Sequence, residues 1–274
     1  MITVETFTGA EALHRPVGVF DAGIGSYDLV RRIRAAYPRQ DVLYLADRAS
    51  FPYGAKSEEA LLASVGRAGQ ALESLGAASI ILASNAPSVT VLEPLRAQMR
   101  VPVLGVVPPV RSALASLPGE STLLVAGASV LIQSEALAQL IEDAVGLEAH
   151  RVHAVAADDL IGLVESGAFL DPEKVEQPIA AFIAALRAQH RRLGGLSLSS
   201  THLPWLAPAI ARVAPDLPLF DPADQVVADF APLATPGSGR LVCIATASEE
   251  HPLHEFQSML TRLRLDITPA LIKL

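Results

Sequence analysis

Residues 79–88 read SIILASNAPS, an apolar run that stops at Ser84 and is followed by a short polar stretch and a proline. Residues 196–205 read LSLSSTHLPW and repeat this arrangement around Ser200. Both runs are apolar or small throughout, which is typical of strands covered on both faces of a parallel sheet. Polar groups that follow such strands lie at their carboxyl ends, where open α/β sheets place functional residues. The repeat, about 116 residues apart, predicts two similar lobes.

The rest of the chain alternates short β-branched runs with longer amphipathic stretches, which predicts an α/β fold with parallel sheets and right-handed crossovers. The predicted strands are 17–20, 42–46, 79–83, 103–106, 122–126, 151–155, 195–199, 217–220 and 241–245. The predicted helices are 27–36, 58–75, 88–99, 108–117, 132–145, 173–192, 204–213 and 223–232.

Two lobes are therefore expected, each a largely parallel sheet flanked by helices, with an active-site cleft between them. Residues 1–107 and 217–274 are assigned to the N-terminal lobe, which the C-terminal segment completes. Residues 108–216 are assigned to the second lobe. The first 15 residues are expected to be a short, poorly ordered extension.

Composition narrows the class of protein. The chain has 274 residues, of which 51% are hydrophobic, so it can bury one or two sizeable cores. Its net charge of −8 argues against a nucleic-acid binder, which needs a basic face. No apolar run reaches the 18 or so residues that span a bilayer, and no secretory signal is apparent. A single cysteine excludes an internal disulfide and fits the cytoplasm.

The turn after the first predicted strand, residues 21–26, contains two glycines that would let the backbone approach an anion. A dinucleotide fingerprint needs a third glycine in the register G-x-G-x-x-G, but that position is Asp28. An ordinary tight turn is the favoured interpretation. A small-molecule contact by Asp21 is the alternative, and a nucleotide site is the least favoured.

Three further features suit chemistry but have ordinary explanations. The loop Pro52-Tyr53-Gly54 can present backbone N–H groups and a phenol to a carboxylate, although such loops are more often plain turns. His202 is a candidate general acid or base, with a structural hydrogen bond as the commoner role. Glu165, near a helix end, would by itself be expected to be solvated.

Metal and serine-hydrolase chemistry find little support. No His, Cys or carboxylate pair has metal-ligand spacing, so no metal and no cofactor is expected. Cys243 lies in an apolar strand and is expected to be buried and inert. Without a G-x-S-x-G elbow, a hydrolase built on Ser84 or Ser200 would lack its usual local geometry.

Together these segments resemble the glutamate racemases and the wider aspartate/glutamate racemase superfamily. The similarity runs from about residue 16 to 250. Its segments are GVFDAGIGS at 18–26, ADRASFPYGAKS at 46–57, ASNAPS at 83–88, VPVLGVVPP at 101–109, IGLVESG at 161–167, SSTHLPWL at 199–206 and LFDPA at 219–223.

The resemblance implies cofactor-independent racemisation by two facing cysteines, one in each lobe. One thiolate removes the α-proton while the other cysteine, as a thiol, returns a proton from the opposite side. This sequence has Ser84 and Ser200 at those positions. A hydroxyl is far less acidic than a thiol, and each pKa unit costs about 1.36 kcal/mol. Neighbouring hydroxyls are also lost, for example at Ala22 and Ala86.

By resemblance, the candidate catalytic positions and the candidate substrate-binding positions overlap. The catalytic candidates are Ser84, Ser200, Asp21, His202 and Glu165. The substrate-binding candidates are Asp21, Ala22, Pro52, Tyr53, Gly54, Asn85, Ala86, Thr201 and His202.

Three functions remain open, so whether the chain is an enzyme is uncertain. The first is a glutamate racemase-like protein with impaired or altered catalysis that still binds a small carboxylate or glutamate-like amino acid. The second is an active amino-acid racemase that supplies D-glutamate for peptidoglycan and uses His202, Asp21 or Glu165 as acid and base. The third is a non-catalytic regulatory or binding protein. No membrane or nucleic-acid partner is expected, and a homodimer is one option for the assembly.

Overall fold

The structure is a computed structural model that describes residues 2–265 and 267–274. Its strands are β1 (Ile2–Thr3), β2 (Val17–Asp21), β3 (Val42–Asp47), β4 (Ser79–Leu82), β5 (Val103–Gly105), β6 (Thr122–Gly127), β7 (Val152–Ala156), β8 (Leu193–Leu198), β9 (Leu219–Phe220), β10 (Leu241–Thr246) and β11 (Ala270–Lys273). Its α-helices are α1 (Tyr27–Ala36), α2 (Glu58–Ser74), α3 (Asn85–Thr90), α4 (Leu92–Gln98), α5 (Val110–Ser116), α6 (Ser129–Ile132), α7 (Glu135–Val145), α8 (Asp158–Glu165), α9 (Pro172–Gln189), α10 (Ala207–Val213), α11 (Pro222–Asp229) and α12 (Leu253–Arg262).

The chain divides into two compact units, each built on one parallel sheet flanked by helices. The first unit comprises the chain up to Val106 and from Val226 to Leu274, and its seven strands run in the order β1-β11-β10-β3-β2-β4-β5. The second unit, Val107–Gln225, has the order β7-β6-β8-β9. All neighbouring strands in both sheets pair in parallel. The predicted α/β class with two parallel-sheet lobes is confirmed.

The return from the second unit to the first lies nine residues later than the predicted boundary at 216, because the unit ends at Gln225. The cause is β9, which had been assigned to the N-terminal lobe. Leu219 and Phe220 instead pair with Leu196 and Ser197 of β8 and form the edge of the second sheet.

Residues 2–6 form a short strand and a 3₁₀ turn, where a poorly ordered extension was expected. Ile2 and Thr3 form β1 and pair in parallel with Ile272 and Lys273 of β11. Neither strand was predicted, because β1 at the edge of the sheet has only two residues and β11, between β1 and β10, has only four. Their partners are remote in sequence, so local patterning gives no sign of the pairing.

The predicted helices formed, with two corrections. The stretch 88–99 is two helices, α3 and α4, because Pro94 has no N–H to donate to the carbonyl of Thr90. The short helix α6 and the helices α8 and α12 were not predicted. In α12, Phe256, Met259 and Leu260 are buried at i, i+3, i+4 spacing, the pattern of an amphipathic helix.

The Asp41 carboxylate fastens the start of β3 to the start of β10. It accepts hydrogen bonds from the backbone N–H of His14 at 2.7 Å, and of Ser238 and Arg240 at 2.9 Å each. The Ser238 hydroxyl donates a further bond at 3.1 Å. Burial alone would raise the pKa of Asp41, but these donors more than offset it and lower the pKa below its ordinary 3.8.

Replacing the carboxylate by an amide is expected to destabilise the first unit. Asp41→Asn replaces one acceptor oxygen by an NH2 group, which cannot accept a hydrogen bond from the backbone N–H groups. We expect the free energy of unfolding, measured by chemical denaturation, to fall by a value on the order of 3 kcal/mol. A lowered folded-state pKa contributes stability above about pH 3.8 that is lost as pH falls through the folded value. The acid-unfolding midpoint of the wild type should therefore depend on Asp41. The surface carboxylate in Asp216→Asn is the control, and equal effects of both variants would contradict this account.

Gly127, the last residue of β6, permits a close approach of β8. A Cβ atom added there would lie 2.8 Å from the backbone carbonyl oxygen of Ser199, which cannot move without shifting the strand end. Gly127→Ala should destabilise the protein by about 1–3 kcal/mol in thermal or denaturant unfolding. The matched control is Gly162→Ala in α8, where a Cβ would meet nothing within 4 Å. Gly162→Ala should raise the free energy of unfolding by roughly 0.5–1 kcal/mol. Changes of the same sign in the two variants would contradict this explanation.

Candidate active site

Neighbouring strands of the first unit deliver Asp21 and Ser84 to the same edge of its sheet. Strands β2 and β4 pair directly, with Phe20 opposite Leu82, and the N–H of Ala83 continues the ladder to the carbonyl of Phe20. Asp21 is the last residue of β2 and is buried, and its carboxylate accepts a hydrogen bond from the N–H of Ala22 at 2.7 Å. The predicted placement of these candidates at strand ends is thus what the unit shows.

Ser84 lies between β4 and α3 with extended backbone and is half-buried. Its hydroxyl makes no hydrogen bond to any residue within 2–265 or 267–274. The serine that does brace this loop is Ser88, whose hydroxyl donates to the carbonyl of Leu82 at 3.2 Å and accepts from the N–H of Val106 at 2.9 Å. Among the described residues, therefore, no imidazole, amine or carboxylate is hydrogen-bonded to Ser84.

The Asn85 side chain is buried, and only one of its two polar atoms has a hydrogen-bond partner among the described residues. Its Nδ2 donates to the carbonyl of Val106 at 3.1 Å, while Oδ1 has no hydrogen-bond partner among the described residues. A buried acceptor without a donor costs roughly 1–3 kcal/mol, and Asn85 Oδ1 keeps its capacity to accept a hydrogen bond. Ala86 follows it in the first turn of α3, and its carbonyl accepts from the hydroxyl of Thr90.

A hydrogen-bond network around Asp47, which the sequence analysis did not predict, holds the loop Pro52-Tyr53-Gly54 at the end of β3. The Tyr53 hydroxyl donates to Asp47 Oδ2 at 3.0 Å, and the Thr246 hydroxyl donates to Asp47 Oδ1 at 2.8 Å. Burial raises the pKa of Tyr53 well above its usual value, and the charges of Asp47 and Asp21 add to the rise. The phenol is therefore neutral, and its proton is directed to Asp47 and away from solvent.

The turn at residues 21–26 is an ordinary strand-to-helix connection in its contacts. The Ser26 hydroxyl donates to the carbonyl of Gly23 at 3.2 Å and bonds the Tyr44 hydroxyl at 2.9 Å. Asp28, which broke the nucleotide fingerprint, pairs with Arg31 and Arg32 of its own helix at 2.5 Å. These contacts favour the tight-turn interpretation.

The second unit places its candidates in a hydrogen-bonded row. Ser200 follows β8, and its Oγ lies 3.3 Å from Nδ1 of His202. The other ring nitrogen, Nε2, lies 2.7 Å from Oε1 of Glu165. Ser200 and His202 each retain only 8% of their surface exposed. His202 is thus not an isolated histidine but the centre of a chain that joins a hydroxyl to a carboxylate.

Glu165 corrects the expectation that it would be solvated, because its side chain is only 21% exposed and is bonded to His202. It is the last residue of α8, which Leu160 and Val164 anchor in the core. The helix stops there because Gly167 adopts a left-handed conformation with φ of 73°, which glycine tolerates best. The glycine two positions on was the one local sign that this carboxylate has a fixed position.

Thr201, between the serine and the histidine, is half-buried, and its hydroxyl bonds no residue in the described part of the chain. The hydroxyls of Ser197 and Ser199 bond each other at 2.9 Å inside the unit. The Thr201 hydroxyl therefore keeps unused donor and acceptor capacity, whereas the Ser197 and Ser199 hydroxyls bond each other.

The described residues offer no sign of metal chemistry or of a reactive thiol. They contain no group of three or more His, Cys, Asp or Glu side chains arranged to hold a metal ion. Cys243 is buried in β10, and burial raises the pKa of its thiol to about 12, so it stays protonated. No helix in this part of the chain has the length and hydrophobicity of a membrane span.

Comparison with known proteins agrees with these features. Residues 26–229 match the family model described as Asp/Glu/Hydantoin racemase. The chain is 34% identical over 213 residues to the glutamate racemase of Desulforudis audaxviator, covering 77% of this chain and 76% of that protein. It is 32% identical over 245 residues to the glutamate racemase of Ralstonia pickettii, covering 87% and 85%.

Among solved structures, the glutamate racemase of Thermus thermophilus in complex with β-chloro-D-alanine is similar, with 28% identity and a TM-score of 0.72. The match covers 94% of this chain and 96% of that one. Sequence, fold and strand-end residues agree, and the chain belongs to the Asp/Glu/Hydantoin racemase family, with glutamate racemases among its relatives.

Proposed function

We propose that this chain is a glutamate racemase-like protein that binds a small amino acid and transfers an α-proton poorly or not at all. The matches to the Desulforudis audaxviator and Ralstonia pickettii glutamate racemases each cover three quarters or more of both chains. The Thermus thermophilus relative was solved with β-chloro-D-alanine, which is itself a small amino acid. These similarities support the class of ligand.

The observation that carries the proposal is the Ser84 hydroxyl. Family chemistry, as the resemblance implies it, needs an acid/base on each side of the α-carbon. At position 84 the group is a hydroxyl with no base bonded to it among the described residues. To remove a carbon-bound proton it would first have to ionise, beside the buried carboxylate of Asp21 on the neighbouring strand. Each pKa unit of that ionisation costs about 1.36 kcal/mol, or a factor of ten in rate.

Amino-acid binding survives this loss because other groups keep free hydrogen-bonding capacity. The Asn85 Oδ1 atom is a buried acceptor that fits an ammonium group. The Thr201 hydroxyl can donate to a carboxylate or accept from an ammonium. That the residues of both units serve one ligand stays a prediction.

In deuterated water, the wild-type protein should exchange the α-proton of neither D- nor L-glutamate above the uncatalysed rate, measured by proton NMR. Isothermal titration calorimetry on the same samples should still detect binding of at least one enantiomer. Asn85→Leu should abolish that binding, because leucine has the same branching but no acceptor for the ammonium group.

The double variant Ser84→Cys/Ser200→Cys is the gain-of-function arm of this test. Thiols, with an ordinary pKa near 8.5, place ionisation within reach of neutral pH and should introduce measurable exchange. Ser84→Ala/Ser200→Ala is its matched control and should show no α-proton exchange. Wild-type exchange that Ser84→Ala abolishes would contradict the proposal.

An active racemase that uses residues other than thiols is the second candidate, and one observation favours it. The Glu165–His202 pair is an acid/base group beside Ser200, whereas no counterpart within residues 2–265 and 267–274 bonds Ser84. Such an enzyme would supply D-glutamate for peptidoglycan.

This candidate predicts that the wild type inverts glutamate while deuterium from the solvent enters the α-position. His202→Ala should abolish both the exchange and the inversion. NMR combined with chiral chromatography separates exchange from inversion. Absence of exchange from a panel of amino acids would end this candidate.

A further inference from the structure

The hydrogen-bonded chain in the second unit has the composition of a general-base relay for a hydroxyl nucleophile. Such a relay needs a hydroxyl, a base within hydrogen-bond reach and a third group that orients the base. Ser200 Oγ lies 3.3 Å from His202 Nδ1, and His202 Nε2 lies 2.7 Å from Glu165 Oε1. All three residues belong to one unit, so the relay is complete within it.

The carboxylate determines which ring nitrogen carries the proton. An ionised carboxylate only accepts hydrogen bonds, so the 2.7 Å contact requires a proton on Nε2 of His202. In the neutral imidazole the lone pair of Nδ1 then faces Ser200 Oγ. The backbone N–H of His202 also donates to this Oγ, at 3.4 Å. The hydroxyl proton is thereby directed along the Oγ to Nδ1 line, and Glu165 acts as a positioning residue.

Backbone donors for a developing oxyanion lie beside the nucleophile. Within residues 2–265 and 267–274, the N–H groups of Ser200 and Thr201 make no hydrogen bond, although those of Ser199 and Leu203 on either side do. Two successive amides at the end of a strand can stabilise charge on a carbonyl oxygen attacked by Ser200.

We propose that Ser200 is an activated nucleophile that accepts an acyl group from a small carboxylic ester and passes it to water. Ser200 Oγ bonds to the ester carbonyl carbon while its proton moves to His202 Nδ1. The tetrahedral intermediate expels the alkoxide, which takes that proton and leaves as the alcohol. Water, deprotonated by the same Nδ1, then attacks the acyl-serine and releases the acid, and the proton returns to Ser200 Oγ. No oxidant, reductant or cofactor is needed.

This chemistry is accessible where α-proton abstraction is not. A serine that abstracts a carbon-bound proton must act as a free alkoxide, whereas a serine that attacks a carbonyl loses its proton as the new bond forms. The imidazole lowers the barrier of the second process without having to ionise the hydroxyl beforehand. The inference is therefore independent of amino-acid binding and of the proposed loss of racemisation.

The direct test is covalent labelling of the full chain with diisopropyl fluorophosphate. Attack by Ser200 forms an Oγ–P bond and expels fluoride, so intact mass spectrometry should show one adduct and peptide mapping should place it on Ser200. The rate should exceed that of His202→Ala by about 10²–10⁴-fold, the usual contribution of a general base. Ser112→Ala, which removes an exposed serine of the same unit, should label like the wild type.

Further variants distinguish a relay from a merely structural hydrogen bond. Glu165→Gln keeps an acceptor for Nε2–H and should retain more labelling than Glu165→Leu, at equal melting temperatures. Hydrolysis of p-nitrophenyl acetate should show the same order. Wild-type labelling that is absent, or spread over several serines, would overturn the proposal, and so would labelling that survives His202→Ala. None of these results bears on the α-proton exchange assay, so the two proposals can fail separately.

Discussion

A parallel sheet brings the carboxyl ends of all its strands to one edge, and both units of this protein depend on that constraint. Ladder pairing of β2 with β4 fixes Asp21 and Ser84 next to each other, and pairing of β6 with β8 fixes the position of Ser200. The strands themselves are almost wholly buried, so they tolerate little besides apolar and small residues. Chemical variation is therefore confined to the few residues that follow each strand.

The two strand ends have diverged in different ways within this constraint. Position 84 offers a hydroxyl to which no base in the described part of the chain is bonded, next to an asparagine whose Oδ1 has no donor there. Position 200 offers a hydroxyl attached to an imidazole and a carboxylate. A thiol in either place would serve as a Brønsted base near neutral pH. A hydroxyl does not, but beside an imidazole it serves well as a nucleophile. The proposed change of chemistry at position 200, from proton transfer to acyl transfer, thus needs only oxygen in place of sulfur on the same backbone.

The sequence predicted the parts of this molecule that are governed by local patterning. All nine strands expected from apolar runs formed, and the polar residues after them lie at strand ends because the runs end there. The predictions failed where a contact joins distant residues. Strands β1 and β11 stabilise each other across the whole chain, and nothing local indicates either. Glu165 looks solvated in LVESG because its partner, His202, comes 37 residues later. The bond between Tyr53 and Asp47 likewise depends on how a loop folds back on its strand.

The His202 imidazole bonds the hydroxyl at position 200, whereas no comparable group among the described residues bonds the hydroxyl at position 84, and a thiol placed at each position tests this difference most directly. Ser200→Cys and Ser84→Cys, each made in a Cys243→Ala background, would be titrated by thiolate absorbance near 240 nm and by the pH dependence of alkylation with iodoacetamide. The account predicts that the thiol at position 200 ionises well below the ordinary value near 8.5 because the imidazolium stabilises the thiolate, while the thiol at position 84 does not. Equal ionisation at the two positions, or the lower pKa at position 84, would contradict it.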